Sequence, residues 1–230
     1  MIFECRDISF RYPGTEVAVF ENLAFRMAGP GFNALFGPSG VGKTSLAHIL
    51  TGVLKGFAGQ IETPGIQTVL YSYNLERLPG WSAVGKHLER VTAPAQQGKK
   101  APLVQLFGMA PHLGARFAQL SLGQKNRINL MRYLLQDFDL LVMDESLANV
   151  DEPTRNRIIL EIKALFPDKF FLYISHNVIE VAKFCKHVLV LGGPGKEPNA
   201  VMVSGLDHRS EAPPDRRQLE RAMLEIMNAA

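Results

Sequence analysis

The 230 residues are 47% hydrophobic, enough for one core with a small appended subdomain rather than two full domains. Lys and Arg number 25 against 22 for Asp and Glu, so the net charge is only +3; no dense basic run exists, and no nucleic-acid partner is expected. Cys5 and Cys185 form neither a disulfide framework nor a metal spacing, the pattern of reduced thiols inside a cell, and neither an apolar leader nor a bilayer-spanning run is expected because charges such as Glu4, Arg6 and Asp7 interrupt the apolar stretches.

Ile2 to Phe10 and Val17 to Met27, separated by Tyr12-Pro13-Gly14, read as short antiparallel strands. Phe32 to Phe36 is an apolar run that reads as a buried strand. It leads into Gly37-Pro38-Ser39-Gly40-Val41-Gly42-Lys43-Thr44, which fits G-x-x-x-x-G-K-[ST], a phosphate-binding loop. A helical pattern follows, with Leu46, Ile49, Leu50 and Val53 on one face. The glycines let successive backbone N–H groups point at phosphate oxygens, and the helix N-terminus adds its positive end. Lys43 supplies a point charge for β- and γ-phosphates, and Thr44 a hydroxyl for Mg²⁺. The expected nucleotide-binding run is therefore Gly37, Ser39, Gly40, Val41, Gly42, Lys43, Thr44 and the adjoining Ser45.

Gly56 to Gly65 is turn-rich, and Gln67 to Tyr73 reads as a strand. Helical periodicity over Ser82 to Ala118, broken by a polar loop at Thr92 to Lys100, suggests a helical subdomain over about 82–135 inserted in the core. Gln124–Leu135, Arg155–Phe166 and Val178–Cys185 suit helices. Phe138–Met143, Phe170–Ile174 and His187–Leu191 suit apolar strands. A C-terminal amphipathic helix within about 213–230 follows Pro213-Pro214 and carries Leu219, Met223 and Ile226. This alternation predicts an α/β class: a P-loop NTPase core with a mainly parallel sheet, an N-terminal antiparallel β subdomain and the helical insertion, all in one domain over 1–230.

Leu140-Leu141-Val142-Met143-Asp144-Glu145 is an apolar strand ending in carboxylates. Such a strand can deliver Asp144 to Mg²⁺ beside the phosphate loop, and Glu145 to an attacking water as general base. Leu120-Ser121-Leu122-Gly123-Gln124, lying between these two motifs, resembles the LSGGQ signature of ATP-binding cassette (ABC) ATPases. The resemblance covers nearly the whole chain. It implies an ATP hydrolase whose ATP is sandwiched between two copies, with Ser121, Gly123, Gln124 and Asp151 reaching the nucleotide of the opposite subunit. It also implies that His176 is the switch histidine beside the γ-phosphate, that Tyr12 stacks on adenine, and that Asn74 stands at the Q-loop position, a further contact for ATP and Mg²⁺.

Arg77-Leu78-Pro79-Gly80-Trp81 and Val188 to Lys196 resemble segments of the nitrate/sulfonate/taurine importer group. The implied partners are a second copy or a second ABC subunit, polytopic membrane permease subunits and, indirectly, an extracytoplasmic solute-binding protein. The implied location is cytoplasmic, on the inner face of the cell membrane. A soluble, non-transport ABC ATPase and a non-hydrolysing nucleotide-binding module are the alternatives. Departures from the family pattern are Leu122 for the middle glycine, Asn74 for glutamine, Ser146 for proline, Asn149 for a small apolar residue and Asn177 for aspartate.

Overall fold

The computed structural model describes residues 1–73, 76, 78–193 and 198–230. In chain order the strands and α-helices are β1 (Ile2–Phe10), β2 (Phe20–Ala28), β3 (Gly31–Phe36), α1 (Lys43–Leu50), β4 (Ala58–Glu62), β5 (Val69–Tyr73), α2 (Val84–Val91), α3 (Gln97–Leu106), α4 (Leu122–Leu134), β6 (Leu140–Asp144), α5 (Glu152–Leu165), β7 (Phe170–Ile174), α6 (Val178–Phe184), β8 (His187–Leu191), β9 (Ala200–Ser204) and α7 (Arg216–Ala229).

Two sheets result. β1 lies between β2 and β4 in an antiparallel sheet, with Ile2 opposite Ala28 and Glu4 opposite Glu62. The larger sheet has the order β5-β6-β7-β3-β8-β9, parallel except for β9, which runs antiparallel along β8. Successive side chains of a strand point to opposite faces, and this builds two cores. Phe170, Leu172 and Ile174 of β7 join Leu35, Leu140 and Val142 in packing against α1 and the antiparallel sheet. Phe171 and Tyr173 join Phe32, Ala34, Leu141 and Met143 in packing against the helices. The central strands are apolar at nearly every position because both faces are covered.

The structure bears out the α/β class with a mainly parallel sheet, and it changes several local expectations. Thr92 to Lys100 is not an open polar loop. Thr92 and Gln96 are buried, the Thr92 hydroxyl donates to Leu88 O (2.5 Å), and the Ala93 amide donates to Leu135 O (2.8 Å). Pro94 then starts a 3-10 turn that runs into α3, since proline at a helix start loses no internal hydrogen bond.

Val53 does not extend the face of α1. The Thr51 hydroxyl turns back to Ala47 O (2.9 Å), Gly52 takes a left-handed φ of 71°, and Val53 points to solvent. β4 lies within the segment read as turns. It is an exposed edge strand without alternation, and Gly59 there has φ 102°, where a Cβ would meet Asp7 O at 2.5 Å. No helix among the described residues is long and apolar enough to cross a membrane.

Candidate nucleotide site

β3, β7 and β6 are neighbours, in register so that Leu35, Ile174 and Asp144 are level. The loops leaving their carboxyl ends therefore converge, at the edge where open α/β sheets bind ligands. The loop after β3 is the phosphate-binding motif. Two of its glycines are required by their surroundings: at Gly37 a Cβ would lie 2.5 Å from Leu191 O, and at Gly42, with φ 102°, 2.6 Å from Val19 Cγ1 and 2.7 Å from Phe20 Cζ. Gly42 is the N-cap of α1 and supplies no side chain, which leaves the first-turn N–H groups of α1 without a capping side chain.

Lys43 is only 6% exposed, and its Nζ donates to Gly37 O (2.9 Å) and Pro38 O (2.8 Å). Burial pushes its pKa down, opposed by the Asp144 and Glu145 carboxylates. Thr44 Oγ1 donates to Asp144 Oδ2 at 3.0 Å, joining residues 100 positions apart. The same oxygen accepts from Tyr71 OH at 2.7 Å. Tyr71 had no place among the sequence candidates. Its signal is positional: Tyr73 pairs with Asp144, so Tyr71, two residues back, shares a face of β5 with Tyr73.

Thr44, His48, Tyr71, Tyr73, Asp144 and Glu145 line a cavity of about 570 Å³. Its oxygen donors are hard: the Asp144 and Glu145 carboxylates and the Thr44, Tyr71 and Tyr73 hydroxyls. No group of three or more His, Cys, Asp or Glu able to hold a metal exists among the described residues. That donor set fits Mg²⁺, which keeps waters and substrate phosphates as ligands, and does not fit a dedicated all-protein metal cage. Tyr71→Phe removes a charge-assisted donor from Asp144 and should lower unfolding free energy by about 1–2 kcal/mol, read from the urea midpoint.

Glu145 follows β6 with φ 51°, and its amide donates to Ile174 O (3.1 Å). This left-handed residue turns the chain so that Asp144 and Glu145 serve different partners. Glu145 Oε1 lies 2.7 Å from His176 Nε2, and both side chains stay partly exposed. Ser146, in place of the usual proline, is buried and donates to Ser72 O at 3.0 Å, which ties the turn after β6 to β5. Tyr12 OH and Ser45 Oγ share a hydrogen bond of 2.9 Å, and the Tyr12 ring meets Phe10 edge-on. Tyr12, Val19, Phe20, Gly40 and Val41 contribute to the walls of an adjacent cleft of about 870 Å³.

Ser121, Gly123, Gln124 and Asp151 stand apart. Among the described residues no hydrogen bond or ion pair joins them to the loop 37–44. Ser121 caps α4: its Oγ accepts from the Gln124 amide (3.3 Å) while Gln124 Oε1 accepts from the Ser121 amide (2.8 Å). With its oxygen so engaged, Gln124 donates through Nε2 to His112 Nε2 (2.9 Å), a second partner absent from the sequence expectations. Leu122 is 50% exposed at this helix start. A Cβ on Gly123 would lie 3.6 Å from Asn149 O, so the signature segment abuts the turn that carries Asp151. Asp151 caps α5 by accepting from the Thr154 amide, which pulls its pKa down. Asn74, the Arg77 end of Arg77–Trp81 and the turn Pro194–Lys196 lie outside the described residues.

The chain is similar to known proteins of one family. A family model described as "ABC transporter" matches residues 20–148. The chain is 32% identical over 186 residues to "Molybdenum import ATP-binding protein ModC" of Mesorhizobium japonicum, covering 69% of this chain and 48% of that one. It is 31% identical over 185 residues to "Nickel import ATP-binding protein NikE" of Pseudomonas putida, covering 69% and 68%. The chain thus spans about half the length of the ModC relatives it matches. Neither relative is named for nitrate, sulfonate or taurine, so the narrower resemblance gains no support from them. A bacterial Atm1-family ABC exporter with ATP bound superposes with a TM-score of 0.72 at 20% identity, over 83% of this chain and 36% of that one, a likeness of fold.

Proposed function

Because the chain belongs to the ABC transporter family, we propose that it is an ATP-binding and ATP-hydrolysing subunit that energises import of a solute through membrane partners. The observation that carries this reading is the convergence of Lys43, the Thr44–Asp144 contact and the Glu145–His176 pair at the carboxyl ends of three adjacent strands.

Lys43 exchanges the carbonyls of Gly37 and Pro38 for β- and γ-phosphate oxygens, a short move for an ammonium already inside the loop. The loop amides and the N-terminus of α1 hold the remaining phosphate charge. Thr44 and Asp144 would hold Mg²⁺, which when bound would supply charge neutralisation at the phosphates. Glu145 takes the proton of the attacking water, and His176, which contacts it, orients that water at the γ-phosphate. Both side chains retained in contact favour hydrolysis over mere nucleotide binding. Tyr12 offers a ring face for the base.

Ser121, Gly123, Gln124 and Asp151, exposed or partly exposed and away from the phosphate loop, serve the nucleotide of a second copy or a second ABC subunit. The import names of ModC and NikE favour an importer, with permease subunits and a solute-binding protein as further partners and a place on the inner membrane face through them.

Mixing two inactive variants tests the shared site. A Ser121→Arg chain combined with a Lys43→Ala chain leaves one intact pair, Lys43 of one copy facing Ser121 of the other. ATPase activity of the mixture well above either variant alone is expected. Activity no higher than the variants alone would refute the two-copy site. Co-purification with a polytopic membrane protein separates the importer from a soluble ABC ATPase.

A further inference from the structure

Glu180, on α6, is 4% exposed and takes no part in the steps above. It lies just behind the Glu145–His176 pair. Its Oε2 accepts from Tyr173 OH (2.8 Å) and Ser175 Oγ (3.1 Å), and its Oε1 accepts from Asn177 Nδ2 (2.9 Å). Arg155 Nε, on α5, stands 2.5 Å from the same Oε1. Ser175 and Asn177 are the residues on either side of His176, and Ser175 Oγ also accepts from the Asn177 amide (3.1 Å). One buried carboxylate therefore grips the histidine loop before and after its functional side chain. Arg155 reaches the other way: its Nη1 donates to Val150 O (3.0 Å), immediately before Asp151. Glu145, Arg155, Ser175, His176 and Glu180 are among the residues lining a shared cavity of about 210 Å³.

A buried carboxylate left without partners is expensive, so a charge kept here is held by geometry: an ion pair and three donors saturate it. Burial, with the Glu180 charge and hydrogen bond, pushes the Tyr173 phenol well above its ordinary range, so Tyr173 remains a donor to it.

We propose that Arg155 and Glu180 are positioning residues that lock the loop carrying His176 to the loop carrying Asp151, so that His176 keeps its approach to Glu145 only while the two loops move as one. The inference rests on the reading that Glu145 and His176 act on the water of ATP hydrolysis. Its consequence is directional. Asp151 is the residue proposed to face a neighbouring copy, and the Arg155–Glu180 ion pair links its turn to the loop that carries His176 of the same chain's own nucleotide site. Docking of the second copy is thereby felt at His176.

The test compares Arg155→Met, Glu180→Gln and the double variant in the full chain, measuring kcat, KM for ATP and the thermal unfolding midpoint. Each single change leaves a buried polar group or charge without its partner and should lower both the midpoint and kcat. The expected fall in kcat is roughly 10- to 100-fold, the scale of a misplaced catalytic group, with KM changed little. In the double variant no buried charge is left unpaired, so the midpoint should return toward that of the unsubstituted protein while kcat stays low. Recovery of kcat together with the midpoint would overturn the proposal, because that is what a purely structural pair does. A rise in KM at unchanged kcat would overturn it too. His176→Ala separates the two layers. If it leaves kcat intact, the hydrolysis reading itself fails; if it abolishes turnover while Glu180→Gln does not reduce it, only the positioning role fails.

Discussion

Lys43→Ala should cut ATP turnover by roughly two to three orders of magnitude, the scale of losing one preorganised electrostatic contact to a developing charge. The magnitude follows from where the ammonium sits. It is desolvated before any ligand arrives and already aimed into the loop by Gly37 O and Pro38 O. A charge placed in advance needs little rearrangement when phosphate charge grows, and burial strengthens its field. The substitution also leaves two loop carbonyls without their donor, so a loss of about 1–3 kcal/mol in unfolding free energy should accompany it. Kinetics at saturating ATP and urea unfolding measure the two effects separately. A turnover within about tenfold of the unsubstituted chain would contradict the assignment of Lys43 to the transferring phosphate.

Glu145→Gln should lower kcat by roughly 10²- to 10⁴-fold, the range for removing a general base. Here the fold should survive. Glutamine keeps the shape at φ 51°, the backbone contact to Ile174 O is untouched, and the side chain is only partly buried. ATP binding should therefore persist while hydrolysis stops. ATP-dependent conversion to a dimer, read by size-exclusion chromatography, is the expected accompaniment. Full turnover in this variant would move the base to another residue.

The strand–loop–helix around residues 37–44 was legible because the motif constrains sequence directly: Gly37 and Gly42, which admit no Cβ, then a lysine and a hydroxyl at fixed spacing. The carboxylates at the end of β6 were legible for a similar reason, since a strand covered on both faces tolerates charge only where it ends. Tyr71 was not legible. Nothing in Val69–Tyr73 separates a tyrosine that packs from one that donates to Asp144; the register between β5 and β6 decides it. Glu180 was equally silent, because a glutamate in a short helix next to Lys183 reads as a solvated face. Its burial depends on Arg155, which lies 25 positions earlier and meets it only in three dimensions. The loop expected at Thr92–Lys100 failed for the converse reason: polar composition suggested exposure, but Thr92 spends its hydroxyl on the backbone and Gln96 is covered.

The interleaved order of the large sheet has a consequence for how the chain acquires its ligand. β3 and β6 are separated in space by β7, which is made more than 25 residues after β6 and more than 130 after β3. The phosphate loop and Asp144 therefore have no common frame until the last of these three strands has inserted between them. A chain emerging from the ribosome carries a complete phosphate-loop sequence long before it carries a site. A nucleotide that needs the assembled edge can select only the finished molecule. Its stabilisation, set by ligand concentration relative to Kd, then acts on global unfolding and not on any early fragment. For this topology, stabilisation by a bound nucleotide is expected to be felt only late in folding.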